Sequence, residues 1–164
     1  MFPATNNRLT IQLPTLARYA IKNVQPAHIG PGKAVWSNIH VRDLARGFAT
    51  VLHHFEKTSA SDPSLKNPYY FCEATGDSEP SWRDMVSAIG EGLAKAGKLT
   101  SAEPALMPRE KYAEVFGEFT PAVLGMNSRS RAVRLRELGW RPREKGWRES
   151  LLEDELPLVL KEGA

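Results

Sequence analysis

Residues 43–57, DLARGFATVLHHFEK, carry the pattern that most limits the fold: Leu44, Phe48, Val51, Leu52 and Phe55 follow one another at spacings of 4, 3, 1 and 3. That is a helical period, and an apolar stripe so placed needs another surface to lie against. Asp43 stands near the positive end of the dipole of this helix. A second helix is marked by Ser81-Trp82-Arg83-Asp84, which has the form of a capping box with Ser81 as N-cap and Asp84 at the third position. Its buried face is Trp82, Met85, Val86, Ile89 and Leu93, and Gly97 stops it. A third, from Gln12 to Lys22, gathers Leu13, Leu16, Ala17, Ala20 and Ile21 on one side. Pro14 suits its first turn and Asn23 a left-handed stop.

Between these helices the chain turns β-prone. Val24 to Val41 reads as extended, broken by the Gly30-Pro31-Gly32 turn, and Tyr69 to Cys72 reads as a short strand. Residues 58–68 form a loop, and Glu73 to Pro80 a second one. Pro108 opens a shorter helix through Tyr112, Val115 and Phe116 that Gly117 ends. Ser128 to Leu138 reads as a helix with Ala132, Leu135 and Leu138 inward and Arg134 outward, capped by Gly139, with Trp140 folding back on it. A last helix around Trp147, Leu151, Leu152 and Leu156 closes before Pro157. The alternation, free of internal repeats, predicts a mixed α/β fold: a single region over residues 1–164, with 1–11 as a remnant or linker.

Composition excludes several classes. With 41% hydrophobic and 25% charged residues in 164, the chain can bury a core, which rules out collagen and a disordered tail. No apolar run approaches the roughly 18 residues of a membrane span, and the first 20 residues carry no secretory pattern, so the sequence reads as cytoplasmic, with no membrane partner. Cys72 is the single cysteine, so the fold is held by packing and not by an internal disulfide. The net charge of +3 conceals an uneven distribution. Met126 to Arg148 holds eight basic and two acidic residues, while the rest of the chain has 14 basic against 17 acidic.

Most catalytic and cofactor signatures are missing. Gly30 to Lys33, GPGK, has Ala27 and Ala34 where a phosphate loop requires Gly and Ser or Thr, so it reads as a turn. The Gly30-x-Gly32 and Gly90-x-Gly92 pairs meet Val35 and Lys95 where a dinucleotide fingerprint needs its third glycine. His28, His40, His53 and His54 include no pair at zinc-ligand spacing, and no metal is expected. Of the histidines, His40 precedes a helix at the end of an extended run, a position where α/β sites gather, although a structural role fits it as well. None of the four tyrosines is followed four residues later by lysine.

Two stretches nevertheless resemble the second half of an extended short-chain dehydrogenase, the family of NAD(P)-dependent epimerases, dehydratases and related reductases. VWSNIHVRDLA, Val35 to Ala45, resembles a variant of the family's R-D-[FY]-[IV]-H-V-x-D-[VL]-A element. SRSRAVRLRELGWRP, Ser128 to Pro142, is similar to its S-[KR]-A-x-x-x-L-G-W-x-P ending, and the nearest look is to the fungal branch. The resemblance implies a C-terminal substrate-binding half. The Rossmann half, with its glycine fingerprint and Tyr-x-x-x-Lys, is absent from these residues. It further implies NAD(P) for the full-length family member and none bound by this chain alone. The implied partners are a small-molecule substrate and the missing half or a full-length paralogue.

By resemblance, Trp36, Asn38, His40, Asn127, Ser128, Arg129 and Arg131 are the substrate-binding candidates, and no residue of this chain is catalytic. Arginine forks at 129 and 131 could grip an anion bidentately or tie their segment to the fold. Trp36 stands where many sugar-nucleotide enzymes place an arginine, which points toward a more apolar carbonyl or hydroxyl substrate. Trp36, Phe48 and Phe55 are expected to form apolar surface that a missing partner covers, with self-association as a consequence. Two other readings compete: a nucleic-acid or protein-partner module built on residues 126–148, against which the interrupting apolar residues and Glu137 and Glu144 speak, and a pseudoenzyme regulatory half.

Overall fold

The Ser81 hydroxyl accepts the Asp84 N–H at 3.2 Å and the Asp84 carboxylate accepts the Ser81 N–H at 2.9 Å, so a helix starts on the predicted capping box. The computed structural model describes residues 9–74 and 79–162. These are mostly helical and carry one sheet of two parallel strands, a mixed α and β architecture. In chain order the regular elements are α1 (Gln12–Asn23), β1 (Ala27–His28), α2 (Val41–Glu56), α3 (Trp82–Lys95), β2 (Ala105–Leu106), α4 (Thr120–Gly125), α5 (Val133–Glu137), α6 (Trp147–Ser150) and α7 (Leu156–Glu162). Short 3-10 turns at Pro63–Lys66, Arg109–Glu114 and Gly117–Phe119 and a π turn at Leu151–Glu155 join them.

The chain divides into two units, residues 1–36, 80–127 and 148–164 in one, 37–79 and 128–147 in the other. The first unit is organised around α3. Met85, Val86, Ala88, Ile89 and Leu93 are fully buried, and α1, β1, the π turn and α7 pack on this helix. Two glycines let the neighbours come close. A Cβ on Gly90 would stand 2.2 Å from the Ala102 carbonyl oxygen, and one on Gly92 would stand 2.4 Å from a Leu156 methyl. The two strands align Ala27 with Ala105 and His28 with Leu106. Of the expected linker at 1–11, residues 1–8 lie outside the described residues. Thr10, by contrast, donates its N–H and hydroxyl to the Glu155 carboxylate at 3.0 and 3.1 Å.

The second unit has a smaller core. Ala132, Leu135 and Trp140 are buried together, with Ile39, Val51, Tyr70 and Cys72 packed against them. Gly47 makes this possible on the α2 side, since a Cβ there would lie 3.1 Å from Cys72 Sγ and 3.3 Å from a Leu135 methyl.

Several local expectations are corrected. The left-handed step after α1 falls on Val24, at φ 52°, because the Asn23 side chain is committed to the Tyr19 carbonyl and Glu114. A β-branched residue there costs on the order of 1 kcal/mol. Tyr69 to Cys72 forms no strand. Within 128–138 only Val133–Glu137 is helical, since Ser37 draws Ser128 and Ser130 into main-chain contacts instead. The stretch after Pro108 forms 3-10 turns and not one helix. Pro157 does not end the last helix. It sits inside α7, where the wider π turn before it, with the Leu156 N–H bonded to the Leu151 carbonyl, relieves the clash its ring would cause.

Candidate functional site

The second unit holds a carboxylate, Glu79, that three donors surround. Of the loop expected from Glu73 to Pro80, residues 75–78 lie outside the described residues; the Glu79 side chain is only 3% exposed. The Ser37 hydroxyl donates to Glu79 Oε1 at 2.7 Å, Arg131 Nη1 donates to the same oxygen at 2.9 Å, and Arg129 Nε donates to Oε2 at 2.5 Å. Ser37 is itself held: its hydroxyl oxygen accepts the Ser130 N–H at 2.9 Å, and its own N–H donates to the Ser128 carbonyl at 2.9 Å. The hydrogen bond from Ser37, with those of the two guanidiniums, holds the Glu79 carboxyl down at about 2, against the burial that opposes ionisation. Arg129 and Arg131 therefore meet in one place, as anion-gripping residues would, and the anion they hold is the chain's own.

A second carboxylate joins the start of α2 to residues 140–144. Asp43, fully buried in the first turn of α2, accepts the N–H groups of Arg143 at 2.9 Å and Glu144 at 3.1 Å and pairs with Arg46. Its backbone carbonyl accepts the Trp140 indole N–H at 3.1 Å. Burial would raise the Asp43 carboxyl, but the two backbone N–H groups and Arg46 outweigh it and hold it below its ordinary value. A third, Glu73, is buried, accepts the Ala132 N–H at 3.1 Å and faces Arg136. Most arginines of the basic segment thus bond the chain's own groups, although Arg129, Arg131, Arg141 and Arg148 remain exposed. Arg134 donates to the carbonyls of Asn67 and Tyr69 and lies over the Tyr70 ring, Arg141 donates to the carbonyls of Arg136 and Trp140, and Arg148 pairs with Glu91.

The remaining candidates are placed as follows. In the second unit, His40 is the N-cap of α2, its Nδ1 accepting the Arg42 N–H at 3.2 Å, and the Asn38 carbonyl accepts the Ala74 N–H at 2.9 Å. In the first unit, the Trp36 indole donates to the Met126 carbonyl at 2.8 Å and meets Trp82 edge-on at 5.6 Å. Asn127 Oδ1 there accepts the Val35 N–H at 2.8 Å. Nothing in the sequence pattern singled out Ser37, Glu73 or Glu79, although each completes a cluster.

Gly30 to Lys33 forms a turn, with a Gly32 N–H bond to the Ile29 carbonyl and no room at Gly32 for a side chain between His28 and Arg83. A cleft of about 220 Å³ lies on it, lined by Lys33, Tyr112 and Leu124 among others. Among the described residues no three His, Cys, Asp or Glu side chains are grouped to hold a metal ion, and no helix is long and apolar enough to cross a membrane. Cys72 is half-buried, and burial, with the charges of Asp43 and Glu73, pushes its thiol up to about 11. No family model, no curated protein and no solved structure matches this chain.

Proposed function

We propose that the chain is the substrate-recognition part of an NAD(P)-dependent epimerase/dehydratase-like oxidoreductase, with hydride and proton transfer carried by a nucleotide-binding half outside these 164 residues. One observation carries the reading. The two segments that resemble the family, about ninety residues apart in the chain, are clamped together at Asp43 through Trp140, Arg143 and Glu144. A clamp of this kind gives both segments a physical reason to occur in one protein. Asp43 and His40 orient α2; Glu79 and Ser37 fix the start of the arginine segment. The substrate is a small molecule. With Arg129 and Arg131 engaged by Glu79 and an indole at position 36, the reading favours a carbonyl or hydroxyl compound over a nucleotide diphosphate. Arginines engaged by the chain's own carboxylates and carbonyls also favour it over a nucleic-acid module, whose basic side chains would be left for phosphates. In this reading the protein is cytoplasmic.

The test is an NADPH titration followed by tryptophan fluorescence. The isolated chain should give no saturable change. Saturable binding by the chain alone would contradict the division of labour proposed here.

A further inference from the structure

Helix α2 leaves three of its large apolar side chains uncovered. Its inner side is made by Asp43 and Gly47, both buried, with Val51 half-buried. Val41, Phe48 and Leu52 are 72%, 70% and 58% exposed. The orientation is fixed from within, because the Asp43 clamp and the close approach at Gly47 leave no freedom to rotate the stripe inward. The cluster beneath it offers only Ala132, Leu135 and Trp140 as fully buried apolar residues, none of them on α2. Three exposed large apolar side chains on one helix face are the kind of surface that interfaces use.

The outward residues have a period of their own. Val41, Ala45, Phe48 and Leu52, all exposed, and Phe55, half-buried at the edge against Tyr70, recur at spacings of 4, 3, 4 and 3, the seven-residue repeat of a coiled-coil seam. Arg42 and Glu56 each follow a seam residue by one position. They occupy the same flank at opposite ends of the helix, and both are exposed. In an antiparallel pair related by a two-fold axis, like flanks face each other, so Arg42 of each copy stands near Glu56 of the other, twice over. The same arrangement sets Phe48 against Leu52 and Ala45 against Phe55, large beside large at the centre and small beside large at the ends. The seam is complementary to itself in charge and in shape.

We propose that the α2 seam is a homodimer face, occupied by the same seam of a second copy running antiparallel. The proposal stands on exposure, spacing and charge; Phe48 and Phe55 also belong to the surface that the functional reading gives to a missing half, and in the 164-residue chain alone the occupant is a second copy. Sedimentation equilibrium on the 164-residue chain, over protein concentrations from about 1 to about 200 µM, tests it. The chain should pass from monomer to dimer within this range, and Phe48→Asp should raise the dissociation constant at least about tenfold. Arg42→Glu and Glu56→Arg should each weaken the dimer, and the double exchange Arg42→Glu with Glu56→Arg should restore it. All three positions are exposed, so circular dichroism should show each variant folded. A chain monomeric throughout, an assembly indifferent to Phe48→Asp, or a double exchange that fails to restore dimerisation would each overturn the proposal.

Discussion

Replacing Glu79 by glutamine keeps the size of the side chain and removes its charge, which makes it the sharpest probe of the second unit. The carboxylate accepts three hydrogen bonds, from Ser37 at 2.7 Å, Arg131 at 2.9 Å and Arg129 at 2.5 Å. A carboxamide can satisfy one guanidinium and must present its own N–H groups toward the other. The carboxyl falls from an ordinary 4.5 to about 2 on folding. At about 1.4 kcal/mol per pH unit, that is an upper bound of about 3 kcal/mol. Arg129 and Arg131 are themselves half exposed and can turn to water when the carboxylate is gone, which brings the expected loss to about 2 kcal/mol at pH 7. Because the folded-state value is the depressed one, this stability is complete above about pH 4.5 and is lost as the pH falls through about 2. The gap between the native chain and Glu79→Gln should therefore narrow on acidification, to less than half its neutral value at about pH 3. Urea unfolding of both proteins at neutral pH and at about pH 3, followed by tryptophan fluorescence, measures it. A loss under about 0.5 kcal/mol at pH 7, or an equal loss at both pH values, would refute the reasoning.

Three further outcomes follow from the packing. Asp43→Asn should cost about 3 kcal/mol in urea unfolding, because one amide oxygen cannot replace a carboxylate that accepts two backbone N–H groups and Arg46 in a fully buried place. Gly90→Ala should destabilise by about 2 kcal/mol or more even though alanine favours helices by about 1 kcal/mol, since its Cβ would meet the Ala102 carbonyl oxygen at 2.2 Å. A neutral effect would show that α3 can shift away from that carbonyl. Cys72, its thiol pushed up to about 11, should react with a disulfide reagent at pH 8 far more slowly in the native chain than in urea, and equal rates would contradict the burial given for it.

What the sequence made legible was local. The α3 capping box, its buried face and its Gly97 stop all follow from residues within one or two turns of one another, and the structure has them as read. The helical stripe of α2 was legible as a helix but its direction was not. Phe48 is exposed as expected, whereas Trp36 and Phe55 are half-buried, and the helix is oriented by Asp43 and Gly47, whose partners lie up to about a hundred residues away. Tyr69 to Cys72 has the composition of a strand, but composition supplies no neighbour to pair with. The helix expected from Ser128 is cut short by Ser37 and Glu73, contacts that no periodicity announces. The same distance hid Glu79, an acidic residue in a loop whose partners lie 42 to 52 positions away. Arg129 and Arg131 were legible as forks that either grip an anion or tie their segment to the fold, and in the structure both bond Glu79 of the chain itself.

The central claim is that these residues recognise a substrate for chemistry performed by a nucleotide-binding half. Sequencing the transcript upstream of the Met1 codon tests it most directly. An open frame should continue upstream and encode a glycine-rich dinucleotide fingerprint followed by Tyr-x-x-x-Lys. An in-frame stop directly upstream, with neither motif encoded, would contradict it.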